Sequence, residues 1–235
     1  MRHAESEGNL ADLRAHDARA PRLVLEARDA DVELSPTGER QAAALGDWFA
    51  DLDSGDRPTV VVSSPYARAA ATADVIAKVL GLPSPVPRDE RLRERDLGMF
   101  DGLTGLGIRD LFPEEAERRS RVGKFYYRPP GGESWCDVVL RVRSFLDSAL
   151  DEHDDECIVV VSHQAVIMNF RYVLEGLSET ALMEIDSGPP LANCSVTTYH
   201  RDDVGGLGLT SFNDVEPLAR MDQPVTAEEA RDDEA

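Results

Sequence analysis

Lysine is nearly missing from this chain: among 25 basic residues only Lys78 and Lys124 are lysine, and the rest are arginine. Acidic residues outnumber basic ones 45 to 25 over 235 residues, for a formal net charge of −20. A surplus of that size opposes any sequence-independent grip on nucleic acid or on an anionic membrane. Long apolar runs are also lacking. Val60-Val61-Val62 and the run from Ile158 to Val161 fall far short of the ~20 residues that a membrane-spanning helix needs. No basic start is followed by an apolar stretch, so no secretory signal is read. Cysteine is scarce and scattered: Cys136, Cys157 and Cys194 show no C-x-x-C spacing and suggest neither a zinc site nor a disulfide framework. A reducing, cytoplasmic setting and a small-molecule partner are therefore expected. Nothing in the sequence specifies an oligomer.

What is present is enough to build a core, with 42% hydrophobic residues over one large domain or two small ones. Residues 36–51 predict a helix with Pro36 in its first turn and a stripe through Ala42, Leu45, Trp48 and Phe49. The β-branched run Thr59 to Ser63 predicts a buried strand, and Pro65 opens an Ala-rich helix that ends near Gly81. Residues 133–153 predict a further helix, Ile158 to Val161 a second buried strand, and residues 164–175 the helix after it. Later strands are expected at 196–199 and 207–212. Short apolar strands alternating with amphipathic helices imply an α/β fold, a three-layer α/β/α sandwich around a mostly parallel sheet. Residues 10–33 read as a surface loop with some helix. The domain is taken as 1–213, followed by an acidic tail, 214–235, with eight acids, two Arg and too few apolar residues to pack. That tail is expected to be disordered and without function.

Three short segments carry chemistry. Arg2-His3-Ala4-Glu5-Ser6 opens the chain; Ser63-Ser64-Pro65-Tyr66-Ala67-Arg68 joins the first strand to its helix; Val161-Ser162-His163 ends the second. Ligands of open α/β sheets bind beyond the carboxyl ends of the strands, where helix N-termini favour anions. Two Arg and two His converging there make a phosphate pocket without metal. Arg2 and Arg68 can offer forked donors to phosphate oxygens, and their charge keeps His3 unprotonated and able to attack. His16, His153 and His200 have no such context and read as structural or surface residues.

These blocks resemble the histidine phosphatase superfamily, the phosphoglycerate mutase-like proteins, over roughly residues 1–200. The family's R-H-G-x-[ST] stands as Arg2 to Ser6 and its S-S-P-x-x-R-A-x-x-T-A as Ser63 to Ala73. Its S-H-G is Ser162-His163-Gln164, and its L-T-x-x-G-x-x-Q-A helix entry matches Leu34 to Ala42. The resemblance implies that His3 becomes phosphorylated, that His163 donates to the phosphoryl oxygens, and that Ser6 and Asn9 lie near the phosphate. Leu92-Arg93-Glu94-Arg95 resembles the segment that supplies the acid for the leaving group, which makes Glu94 the candidate and Asp96 the fallback.

The resemblance favours a phosphomonoester hydrolase on a small phosphorylated metabolite, metal-independent and without cofactor. The alternatives are a phosphoglycerate mutase, which would need 2,3-bisphosphoglycerate, and a non-catalytic phospho-ligand-binding relative. Arg118-Arg119-Ser120 looks mutase-like and makes Arg118 and Arg119 candidates for a substrate lid. Leu97, Gly105 and Gln164-Ala165 depart from the mutase pattern of Tyr, Lys and Gly-Asn. Residues 88–128 carry ten basic and nine acidic side chains, which predicts a locally cationic lid on an acidic body. Finally, Met1 stands where the family has the end of an apolar strand. The first central strand is therefore expected to be truncated by a late start, with Arg2 and His3 on a frayed terminus.

Overall fold

The computed structural model describes residues 1–153, 156–202 and 205–228. Helices run over α1 (Glu7–Asp17), α2 (Pro36–Ala50), α3 (Ala67–Val79), α4 (Gly105–Leu111) and α5 (Pro113–Val122). They continue with α6 (Trp135–Glu152), α7 (Gln164–Leu174), α8 (Glu179–Asp186) and α9 (Glu216–Arg220). Strands are β1 (Val60–Ser63), β2 (Ile158–Val161), β3 (Val196–Arg201) and β4 (Leu207–Asp214). The arrangement is α/β, with helices around a parallel sheet. Among the described residues no helix is long and apolar enough to cross a membrane.

Local chemistry explains the starts of the helices. Ser35 caps α2 by accepting the Gly38 N–H, with Pro36 just inside, and Ser134 and Asp137 form a capping box on α6. The Ala-rich helix begins two residues later than Pro65 predicts, because Tyr66 is still extended and serves as its cap. In β1 and β2 alternate residues face inward, so Val61 and Val159 meet Leu45 and Phe49 of α2 and Ala69, Ala73 and Ile76 of α3. Each of the Val, Leu, Ile and Phe side chains contributes about 1.5–3 kcal/mol on burial. A second cluster, Val138, Val142, Leu146 and Val166, joins α6 to α7.

β1 and β2 pair in parallel, Val61 opposite Val159 and Ser63 opposite Val161. The chain start continues that pairing. The Met1 amine donates to the Val160 carbonyl at 2.7 Å, Ser162 N–H to the Met1 carbonyl at 3.0 Å, and His3 N–H to the Ser162 carbonyl at 2.9 Å. On the other side Arg2 N–H reaches the Ser195 carbonyl. In place of a first strand, residues 1–3 therefore lie as a short extended segment beside β2. They are buried rather than frayed, because backbone groups on both flanks pair with them.

The reading of 10–33 as loop with some helix agrees with the structure, and the reading of the tail changes. The 10–33 region holds all but the start of α1, whose inward face is Asn9, Ala11 and Ala15, too small and polar to show a helical period. The reading of 214–235 as disordered needs correction over 214–228. Leu218 of α9 is fully buried in the core, and Gln41 and Asn193 hold residues 224–226 by hydrogen bonds. One apolar anchor and a few polar partners suffice, which composition alone cannot show. Residues 229–235 lie outside the described residues.

Gly38 ties α2 to the site. A Cβ there would stand 1.9 Å from the Glu5 carbonyl oxygen, two residues after His3. Gly38→Ala should cost about 1–3 kcal/mol, as overpacking does, and should lower turnover by displacing the His3 backbone. A thermal melt with steady-state rates checks both effects; wild-type values for either would show that the contact relaxes without consequence.

Candidate active site

The rim formed by the ends of β1, β2 and the chain start gathers Arg2, His3, Arg68 and His163, as the motif order predicts. His3 Nδ1 lies 2.7 Å from the Ala4 carbonyl, to which it can only donate. That fixes the tautomer and leaves Nε2 with its lone pair, facing Arg68 Nε at 3.3 Å. Burial, reinforced by Arg68 and Arg2, holds His3 well below the ordinary imidazole range, so the ring is neutral near pH 7. The sequence argument named the two arginines as the cause; in the structure burial comes first.

Arg68 sits in the first turn of α3. Its Nε edge faces His3, while its outer end is gripped by Asp29, whose carboxylate and carbonyl accept from Nη1 at 2.9 and 2.6 Å. A third bond runs from Nη2 to the other carboxylate oxygen at 3.3 Å. Thr72, one turn on, donates to the Arg68 carbonyl and accepts from Ala4 N–H, which locks the helix against the His3 turn. Arg2 is almost wholly enclosed: Nη1 donates to the Leu191 carbonyl and Nη2 pairs with Glu228 Oε1 at 2.8 Å.

His163, the residue before α7, is fully buried with its ring centre 5.0 Å from that of His3 and 5.2 Å from Tyr66. Its Nε2 is 2.8 Å from the Ser64 hydroxyl. Burial, then Arg68, His3 and Arg2, holds it well below the usual imidazole range. Among the described residues His163 Nδ1 and Arg2 Nε are buried without a hydrogen-bond partner. Leaving such groups unpaired is costly.

The remaining candidates divide. Asn9 reaches the pocket, its Nδ2 donating to Glu228 at 2.6 Å. Ser6 instead caps α1: its hydroxyl donates to Asn9 Oδ1 and accepts from Asn9 N–H. It therefore holds the turn that carries Asn9. Glu94 is half-buried on a turn tied down by Ser162 and Arg141, which donate to the Leu92 and Arg91 carbonyls. Burial, then the charges of Asp29 and Glu94, pushes the Tyr66 phenol up to about 12, and Tyr66 lies against His163. Asp96 is exposed and accepts from Gly98 N–H.

The lid is not the cationic surface that its net charge predicts. Arg91 pairs with Asp89, Arg93 with Glu133, Arg121 with Glu117 and Arg128 with Asp137. Arg118 pairs with Glu115 on α5, and Arg119 acts electrostatically on the Tyr127 phenol. Net charge cannot show which arginines are neutralised by neighbours. Four contributors were missed: Ser64, Tyr66, Asp29 and Glu228. The first two lie inside a quoted block and were legible there; Asp29 and Glu228 carry no motif.

Residues 1–214 match the model of the histidine phosphatase superfamily, branch 1. The chain belongs to that superfamily. It is 30% identical over 218 residues to a bifunctional protein of Mycobacterium tuberculosis, a match covering 90% of this chain and 52% of that one. The chain thus spans about half the length of the first curated relatives it matches. To a 2,3-bisphosphoglycerate-dependent phosphoglycerate mutase of Beijerinckia indica it is 31% identical over 199 residues, covering 81% of this chain and 87% of the mutase. A mycobacterial glucosyl-3-phosphoglycerate phosphatase solved with inorganic phosphate superposes with a TM-score of 0.70 at 25% identity, covering 92% and 96% of the two chains. The superfamily therefore supplies both mutase and phosphatase relatives.

Proposed function

We propose that the chain is a metal-independent phosphomonoester hydrolase that acts on a small phosphorylated metabolite through a phosphohistidine at His3. The observation that carries this reading is a neutral, buried His3 whose Nε2 faces Arg68, with unpartnered Arg2 Nε and His163 Nδ1 in the same rim. Nε2 attacks phosphorus in line as the P–O ester bond breaks, and Glu94 gives a proton to the departing alkoxide. Water then attacks the phosphohistidine, its proton returns to Glu94, and inorganic phosphate leaves. Arg2, Arg68, His163 and Asn9 hold the phosphoryl oxygens, whose charge spreads in the transition state. Guanidinium groups take the place a divalent ion would fill. A cytoplasmic setting is part of the proposal and agrees with three free thiols.

The mutase reading has the Beijerinckia relative in its favour. Against it stand Leu97, half-buried beside Phe100 and Tyr127, and Gly105 at the start of α4, where the mutase pattern has Tyr and Lys. The non-catalytic reading leaves the nucleophile and its neutral state without a purpose. A panel of phosphomonoesters, with 3-phosphoglycerate and 2,3-bisphosphoglycerate added in separate arms, decides between them. Phosphate release should exceed mutase turnover and persist in EDTA. Faster mutase turnover, no turnover at all, or activity lost in EDTA and restored by a divalent ion would each overturn the proposal.

A further inference from the structure

Glu228 does more than neutralise a buried arginine. Its Oε1 receives two donors at once, Arg2 Nη2 at 2.8 Å and Asn9 Nδ2 at 2.6 Å. Both are residues that the phosphate-binding reading assigns to the phosphoryl group. A carboxylate oxygen and a phosphoryl oxygen are chemically alike as acceptors, and two convergent charge-assisted donors define one seat for either. Arg2, at 2% exposure, is too enclosed to stand without an anion when no substrate is bound. The tail that delivers Glu228 is held beyond α9 by polar contacts: Gln41 Nε2 donates to the Pro224 carbonyl and the Thr226 hydroxyl, Asn193 N–H donates to the Thr226 carbonyl, and the Thr226 hydroxyl donates to Asn193 Oδ1. Val225 is about half exposed, so no apolar side chain nails this stretch down.

We propose that Glu228 is a resident stand-in for substrate: it occupies the Arg2–Asn9 seat in the empty enzyme and is displaced when a phosphomonoester or phosphate binds. The proposal rests on the phosphatase reading for the identity of the incoming anion. A phosphate dianion brings more charge and more acceptor oxygens than one carboxylate, so it can win the exchange, but it must first pay for releasing the tail. Glu228 therefore sets affinity downward while stabilising the empty protein. Those two effects have opposite signs, and a purely structural counter-ion would show only the second.

Two measurements on the full-length chain test this. In Glu228→Gln the shape is kept and the charge removed. KM for p-nitrophenyl phosphate and the inhibition constant of inorganic phosphate should both fall about tenfold, roughly one charge-assisted hydrogen bond, while the melting temperature without ligand falls. A KM and inhibition constant that are unchanged or raised would reduce Glu228 to a structural counter-ion and overturn the proposal. In the unmutated protein, saturating inorganic phosphate should speed exchange of the Asn193 amide, which donates to the Thr226 carbonyl of the tail, several-fold; unchanged or slower exchange would overturn it. The exchange experiment needs binding but no turnover. A protein that releases its tail to phosphate yet hydrolyses nothing would sink the phosphatase reading and spare this one, whereas hydrolysis with an immobile tail would do the reverse.

Discussion

His3→Ala is expected to lower phosphomonoester turnover by at least about 10⁴-fold, the scale seen when a covalent nucleophile is removed. The ring offers the one buried, neutral lone pair that faces both the forked edge of Arg68 and the second histidine. Alanine leaves Arg2, Arg68, His163 and Asn9 in place to bind an anion, but no atom to take the phosphoryl group. The fold should survive, because the groups that anchor residue 3 belong to its backbone. Its N–H donates to the Ser162 carbonyl, and its own carbonyl accepts from Cys194 N–H and Asn193 Nδ2. The imidazole lies beside Arg68 and His163, so its loss removes packing and one acceptor of Arg68 Nε without stranding an opposite charge. Steady-state rates on p-nitrophenyl phosphate beside a thermal melt separate the two effects. Turnover within tenfold of the unmutated protein would remove His3 as nucleophile.

Arg68→Lys should lower kcat/KM by about 10²–10³-fold although the charge is kept, comparable to deleting one preorganised oxyanion donor. The guanidinium has two working ends. Its Nε edge faces His3, and its outer end binds the Asp29 carboxylate and carbonyl. Asp29 thereby holds the fork at the angle that presents Nε to His3. An ammonium is a compact charge that can satisfy Asp29 or the phosphoryl oxygens, but not both from one position. The loss should fall mainly on kcat, since positive charge still attracts the substrate and only the transition-state geometry suffers. Rates within threefold of wild type would show that charge alone matters at position 68.

The two predictions differ in how far the sequence foresaw them. His3, Arg68 and His163 were legible because each sits at a fixed offset from a strand end or a Pro-marked helix start. In an α/β sheet such offsets place side chains on one rim regardless of what surrounds it. The helices and strands were legible for a similar reason, since Leu45, Phe49, Val61 and Val159 repeat at the periods of the elements they occupy. Asp29 and Glu228 were not. Each is one acid among 45, in a stretch without periodicity, and its role depends on where the chain returns after many residues. The lid arginines were misjudged for the same cause, because a net charge counts residues and ignores which of them pair.

The sequence by itself determined the class of chemistry: an arginine-lined rim with two histidines, on an α/β frame, in a chain too acidic to favour polyanions. Local rules suffice for that, because strand ends, helix caps and side-chain donors act within a few residues of one another. Only the tertiary structure decided the electrostatic state of the pocket. It buried His3 and His163 so that desolvation, reinforced by Arg68 and Arg2, keeps both rings neutral, turned one end of Arg68 toward Asp29, and seated the Glu228 carboxylate on Arg2 and Asn9. Desolvation and ion pairing fall off within a few ångströms, so they depend on which distant segments the fold brings together.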